Sequence, residues 1–299
     1  MENSSADGSA DLLDFAQLYR KICHFHSLAR ERRYSSYLVD RLGDLSLRGH
    51  QQLYRRKLDL RQNALQFILR DFPCLIRQQW KLFWLAIALL YLPGLLLLCC
   101  ILLQPDWVYS VLSPAQVMNF ELMYDPDNLL VGAKRDAGSN WMMFGFYIFN
   151  NIGIAFRVFA TGIIFCVGSL FFLAYNSLLF GAVSGHLINV GYTKTFFTFV
   201  VAHGSFELTA IAIAGAGGLK LGLALLKPGN FSRREALARA ARPAVQLVYG
   251  AAAMLLLAAF IEAFWSSNNT LAPGLKYAVG AVLWLIVFAW LGLAGRSRA

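Results

Sequence analysis

His203 and Glu207 lie four residues apart inside TFFTFVVAHGSFELTAIAIAGAGGLKLGLALL, residues 195–226. A helix there would carry both on one face. An imidazole beside a carboxylate can relay a proton or supply two ligands to a metal. The run around them is apolar enough for a membrane, where an unpaired carboxylate costs several kcal/mol or takes up a proton. Glu262 is a second acid in an apolar segment, and Asn150, Asn151, Arg157 and Asn176 are further polar candidates. Ionisable groups at membrane depth mark functional sites as a working hypothesis. The competing use is a buried hydrogen-bond network that locks helices together. Glu262, within a turn of Trp265, could also snorkel to the interface.

Metal chemistry has little motif support. His203 and Glu207 offer two ligands, but no H-E-x-x-H or related spacing supplies a third, so neither metal nor cofactor is expected. Cys23, Cys74, Cys99, Cys100 and Cys166 form no C-x-x-C pair and read as reduced structural thiols. His24, His26 and His50 read as solvated or partly buried helix residues. The glycine run AGAGGLKLG lacks the preceding strand of a phosphate loop. Ala210, Ala214, Gly218 and Gly222 recur at three-to-four spacing, so Glu207 should face protein rather than lipid. Gly204, Gly215 and Gly217 join them as close-packing candidates, with Gly153, Gly162 and Gly168 in the preceding apolar run.

These residues need helices in a bilayer to position them. The chain of 299 residues is 58% hydrophobic and 15% charged, with a mean hydropathy of +0.51. Soluble domains carry about a quarter charged residues, so this composition indicates an all-α polytopic membrane protein. The net charge of +10 points to orientation and anionic lipid, and no base-reading motif supports nucleic acid. Residues 1–10 are small and polar and are expected to be disordered. Periodic Leu12, Phe15, Tyr19 and Ile22, and a looser stripe of Leu53, Leu58, Leu65 and Leu69, predict a helical N-terminal layer within residues 1–79. A membrane domain fills 80–299. Its spans are predicted near 82–103, 158–181, 243–265 and 275–294, with 141–157 a surface or half-inserted helix.

Charge sets the topology. Residues 1–79 hold thirteen Lys/Arg against nine Asp/Glu, and 227–242 hold five bases and one acid. Residues 104–140 reverse the balance with five acids and two bases. The positive-inside rule places the first two stretches and the C terminus in the cytoplasm, and the 104–140 loop outside. With spans at 82–103 and 158–181, residues 195–226 must then enter and leave on the cytoplasmic face. Two full spans need about forty residues, so the segment is predicted to be re-entrant or broken, at His203–Gly204 or Gly215–Gly218. One long tilted helix is the alternative, and it breaks the charge rule.

Asn150-Asn151-Ile152, LFFLAYNSLLFGAVSG at 170–185, HGSFELTAIAIAGAGGLKLG at 203–222 and IEAF at 261–264 together resemble the stage II sporulation protein M family. The resemblance covers roughly residues 70–295. It implies a polytopic protein of the bacterial inner membrane with no established enzymatic activity. The founding member is linked to a cell-wall-remodelling complex and is thought to be a membrane scaffold. Members outside sporulating bacteria are often associated with a MoxR-type AAA ATPase. The resemblance therefore implies a scaffold or assembly component of an envelope complex. The residues themselves leave a transporter or permease-like protein with a site at His203/Glu207 as the alternative. Expected partners are membrane lipid, other envelope membrane proteins, the ATPase system and possible further copies of the chain.

Overall fold

A computed structural model describes residues 4–53, 60–127, 137–268 and 270–296. The chain divides into two compact units, 1–63 and 64–299. The described residues are helical with no strand, as an all-α reading requires.

In the first unit α1 (Ser4–Glu31) and α2 (Ser36–Leu53) form a helical hairpin. The turn between them uses a left-handed Arg33, φ 53°. Tyr19 packs over Gly49, where no Cβ would fit, and its hydroxyl meets His50 Nδ1 at 3.3 Å. Cys23 Sγ lies 3.3 Å from Ser46 Oγ. The expected disorder at 1–10 is corrected from Ser4 onward, because helix α1 already starts there. Residues 1–3, Leu58 and the side chains of Leu12 and Leu53 lie outside the described residues.

The second unit starts earlier than composition suggests. The short α3 (Leu60–Gln66) runs through a π-turn, Phe67–Asp71, into α4 (Phe72–Gln78). Phe72 is 1% exposed and lies across Gly250, and residues 64–79 group with the second unit rather than with the N-terminal layer. Then follow α5 (Trp80–Leu103), α6 (Pro114–Tyr124), α7 (Ala137–Ala160), α8 (Val167–Asn189), α9 (Thr193–Leu226), α10 (Arg233–Phe260) and α11 (Pro273–Leu293). A second π-turn, Ile261–Ser266, extends α10. Arg77 caps the end of α11, its guanidinium donating to the Leu291 and Ala294 carbonyls at 2.7 Å each, where a cation meets the negative helix terminus.

Six of these helices are long and apolar enough to cross a membrane among the described residues, two of them extended by adjoining turns: Trp80–Leu103, Gly138–Ile163, Val167–Asn189, Thr193–Leu226, Arg233–Ser266 and Pro273–Leu293. Two expectations change. The span placed near 158–181 is two helices, with a reversal at 161–166 where Phe165 and Cys166 adopt left-handed backbone, φ 48° and 70°. Residues 195–226 are neither re-entrant nor broken but part of one continuous 34-residue helix. The two corrections explain each other. Once Gly138–Ile163 counts as a full crossing, α9 crosses once and still delivers the basic 227–242 stretch to the face where α5 starts and α11 ends. The long helix satisfies the charge rule that seemed to forbid it.

α9 is the axis of the bundle. Of its most apolar stretch 72% is buried, against 17–44% for the other five. Gly218 sits against the Val158 and Phe159 carbonyls and Ser169, and Gly222 against Gly162 and Cys166. Gly215 and Gly217 meet only side-chain atoms and one carbonyl, and Gly204 has ordinary room, so Gly204 is no packing glycine. Gly162 is buried against Gly218, Gly168 folds against its own turn at Thr161, and a Cβ at Gly153 would meet nothing. Gly94 of α5 and Gly181 of α8 form a second backbone contact, tied by Gly94 N–H donating to Ser177 Oγ at 2.7 Å.

Two outcomes are expected. Asn230→Cys and Asn268→Cys should react with an impermeant thiol reagent from opposite faces of sealed vesicles; labelling from one face would refute the six-crossing count. Gly218→Leu should cost at least about 1–3 kcal/mol through overpacking and lower the yield of folded protein in detergent, while Gly204→Ala should be tolerated.

Candidate functional site

α9 presents His203 and Glu207 on one face, as their spacing requires, with His203 Nε2 3.8 Å from Glu207 Oε2. His203 is 4% exposed and Glu207 is half-buried. The His203 ring stands edge-on to Phe199, 5.2 Å between centroids, and its Nδ1 lies 3.0 Å from Ser266 Oγ. That contact fixes the ring about its long axis and turns Nε2 toward the carboxylates.

Glu262 comes from the π-turn. A π-turn inserts one residue into the helical register, and here Glu262 and Ser266, four apart, both reach α9. Glu262 is 8% exposed, so it does not snorkel to the interface. Its carboxylate, Glu207 and His203 bring one ligand atom each to within 4.8 Å of one another. These three residues could hold a metal ion, and the third ligand is one that spacing alone did not supply.

α7 contributes Asn150 and Asn151, whose side chains are linked by Asn150 Nδ2 donating to Asn151 Oδ1 at 2.9 Å. Asn151 is 3% exposed and its own Nδ2 has no partner. Asn176 of α8 donates to the Phe172 carbonyl at 2.7 Å. These groups, with His203, Glu207 and Glu262, line one cavity of about 310 Å³. Asn150 itself is exposed, so the cavity opens beside α7. Arg157 does not take part. It is exposed, three residues from the end of α7, and its Nε donates to the Gly153 carbonyl at 3.1 Å.

The sequence reading missed three tyrosines in the lining, Tyr91, Tyr124 and Tyr147, and the pair Ser266 and Lys276. Tyr147 precedes Asn150 and Asn151 by three and four residues, so helical spacing could have found it. Ser266 follows Glu262 by four in the same way. Tyr124 has no local signal. It ends α6 in the loop before α7, where Thr195 Oγ1 donates to the Tyr124 carbonyl at 2.5 Å and its ring packs on Phe196 and Phe199. Burial, with Glu262 adding to it, pushes the Tyr124 phenol above its ordinary range, so it stays a neutral donor over the cavity. A hydrogen bond between α8 and α6, His186 Nε2 to Glu121 Oε1 at 2.7 Å, pins α6 there. Lys276 is buried, and its Nζ donates to the Ser266 carbonyl at 2.9 Å.

Apolar helices around a polar cavity, in numbers enough for several crossings, define a multi-pass helical membrane protein. The chain belongs to the Stage II sporulation protein M family, whose pattern matches residues 82–267 and contains every lining residue named above. Residues 2–55 match a domain of unknown function, DUF8413. No curated protein matches the chain, and no solved structure does.

Ser266→Ala should leave His203 Nδ1 without its partner, costing about 1–3 kcal/mol as a lowered unfolding midpoint in detergent. Ser267→Ala is the control, since that hydroxyl only donates back to the Ala263 carbonyl at 2.6 Å. Equal midpoints for the two variants would mean that Ser266 does not hold the imidazole.

Proposed function

We propose that this protein has a permease-like role, binding a small polar or cationic solute in a cavity within the membrane. The observation that carries the reading is the convergence of His203, Glu207 and Glu262 from two helices on one cavity with Asn150 and Asn151. A helix-locking network would use such groups in dry, mutually satisfied packing. Here they border open volume, and Asn151 keeps an unpaired donor there. The ordinary condition for polar groups at membrane depth is a water-lined or substrate-lined space. The basic 227–242 stretch, on the face shared by the start of α5 and the end of α11, supports an inner-membrane protein with that face cytoplasmic.

The scaffold reading is favoured by a different observation. The N-terminal hairpin leaves Phe25, Tyr37 and Leu47 exposed, at 52%, 79% and 58%, which suits a partner protein. In that role the chain would assemble with other envelope membrane proteins, with a MoxR-type AAA ATPase as the partner that the resemblance suggests. The two roles are compatible, because one lies in the membrane unit and the other in the separate helical unit.

Aqueous access tests the cavity. In a cysteine-free background, Asn150→Cys and Asn176→Cys should react with a charged thiol reagent in membranes, and Leu285→Cys, 68% exposed on α11, should not. Equal protection at all three positions would sink the permease-like reading. Glu207→Gln protein at normal level, with unchanged recovery of partners, would separate the site from the scaffold role.

A further inference from the structure

We propose that His203, Glu207 and Glu262 bind one divalent transition-metal ion of the zinc class in the wall of the cavity. This deepens the permease-like reading and rests on it.

Three donors on two elements are already gathered. Their ligand atoms lie within 4.8 Å of one another, and a tetrahedral zinc site needs donor separations of roughly 3.4 Å from its bond lengths of about 2.1 Å. Carboxylates on flexible Glu side chains close that difference without backbone movement. His203 is oriented as metal-bound histidines are. Its Nδ1 is engaged by Ser266 Oγ at 3.0 Å, which fixes the ring and leaves Nε2 facing Glu207 at 3.8 Å.

Charge argues the same way. Two carboxylates this close in a medium of low dielectric repel strongly. A cation between them would relieve that repulsion. A divalent ion cancels both charges at once, and the imidazole adds a ligand that a shared proton would not need. The donor set also selects the class of ion. One imidazole with two carboxylates suits zinc, manganese, iron(II), cobalt or nickel. Calcium and magnesium favour more ligands, all of them oxygen.

Two observations are independent of the donors. Asn151 is 3% exposed, lines the same cavity and has an amide nitrogen with no partner. It could hold an oxygen on the ion's open position, where three protein ligands leave room for water or solute. Glu262 and Ser266 belong to the π-turn at Ile261–Ser266, and such interruptions concentrate at functional sites.

The test uses untagged full-length protein in detergent, stripped with a chelator and titrated with Co2+, then with Zn2+ in competition. The expected result is one Co2+ per chain, with the visible absorption of a four- or five-coordinate site and no thiolate charge-transfer band, which separates this site from the five cysteines. Zn2+ should displace it. His203→Ala and Glu262→Gln, eluting and folding as the parent does, should each weaken binding at least about 100-fold, and Ser266→Ala about 10-fold. Glu235→Gln should bind as the parent does. A folded parent protein with no stoichiometric metal overturns the inference, and so does Glu262→Gln binding Co2+ like the parent. Should the ligand variants fail to fold, the stoichiometry of the parent and the Ser266→Ala affinity decide. If Asn150→Cys is labelled but no metal binds, the cavity stands and its carboxylates share a proton. If neither occurs, both readings fall.

Discussion

The approach of α9 to the turn between α7 and α8 is the contact on which the membrane unit depends. At Gly218 and Gly222 the helix backbone comes against the backbone of the turn, with only the small Ser169 and Cys166 side chains beside it. Lipid tails are as apolar as leucine, so burying hydrocarbon gives membrane helices little reason to associate. Close packing and buried hydrogen bonds must do it instead. Ser169 Oγ donates to the Val158 carbonyl at 2.6 Å beneath this contact, and Cys166 Sγ donates to the Leu219 carbonyl at 3.4 Å. With one end of α9 clamped this way, His203 and Glu207 are held at a fixed height in the bundle. The second clamp, Gly94 against Gly181, does the same for α5 and α8. The cavity is lined from α5, α7, α8 and α9, by Tyr91, Asn150, Asn176 and His203 among others.

Much of this was legible in the residues. Composition gave the class, and the helical spacing of Gly218 and Gly222 gave the packing face of α9. The four-residue spacing of His203 and Glu207 gave half of the site. The misreadings have physical causes. The turn at 161–166 is written in apolar residues; Ile163, Ile164 and Phe165 are all exposed, at 43%, 58% and 46%. A reading that expects turns to be polar passes straight through it. One crossing was lost there, and the charge rule then demanded a re-entrant helix that does not exist. The count of crossings was one short, and with six the charge rule no longer asks for re-entry. Arg157 looked like a site residue for the same reason, because it was placed before a span rather than at the end of one.

Glu262 shows a different limit. Nothing in IEAFWSS announces that α10 slips into a π-turn at Ile261. Without that shift an acid near Trp265 reads naturally as an interfacial group. Its partnership with α9 spans a separation of 55 to 59 residues, counted from the positions of Glu207, His203 and Glu262, and no local pattern encodes it. Membership of the Stage II sporulation protein M family accounts for the region in which these residues lie. That match leaves open why two acids and a histidine should lie in contact with open volume.

The apolar reversal at 161–166 also bears on biogenesis. Gly138–Ile163 has a hydropathy of 1.3, the lowest of the six spans, against 2.7 for Trp80–Leu103, and it carries Asn150 and Asn151. Alone in lipid, such a segment gains little from insertion and leaves the Asn151 amide nitrogen without a partner. Only a few residues separate it from Val167–Asn189, too few to let one helix settle while the other waits outside. The two helices must therefore leave the insertion machinery as a preformed hairpin, with the second carrying the first into the bilayer.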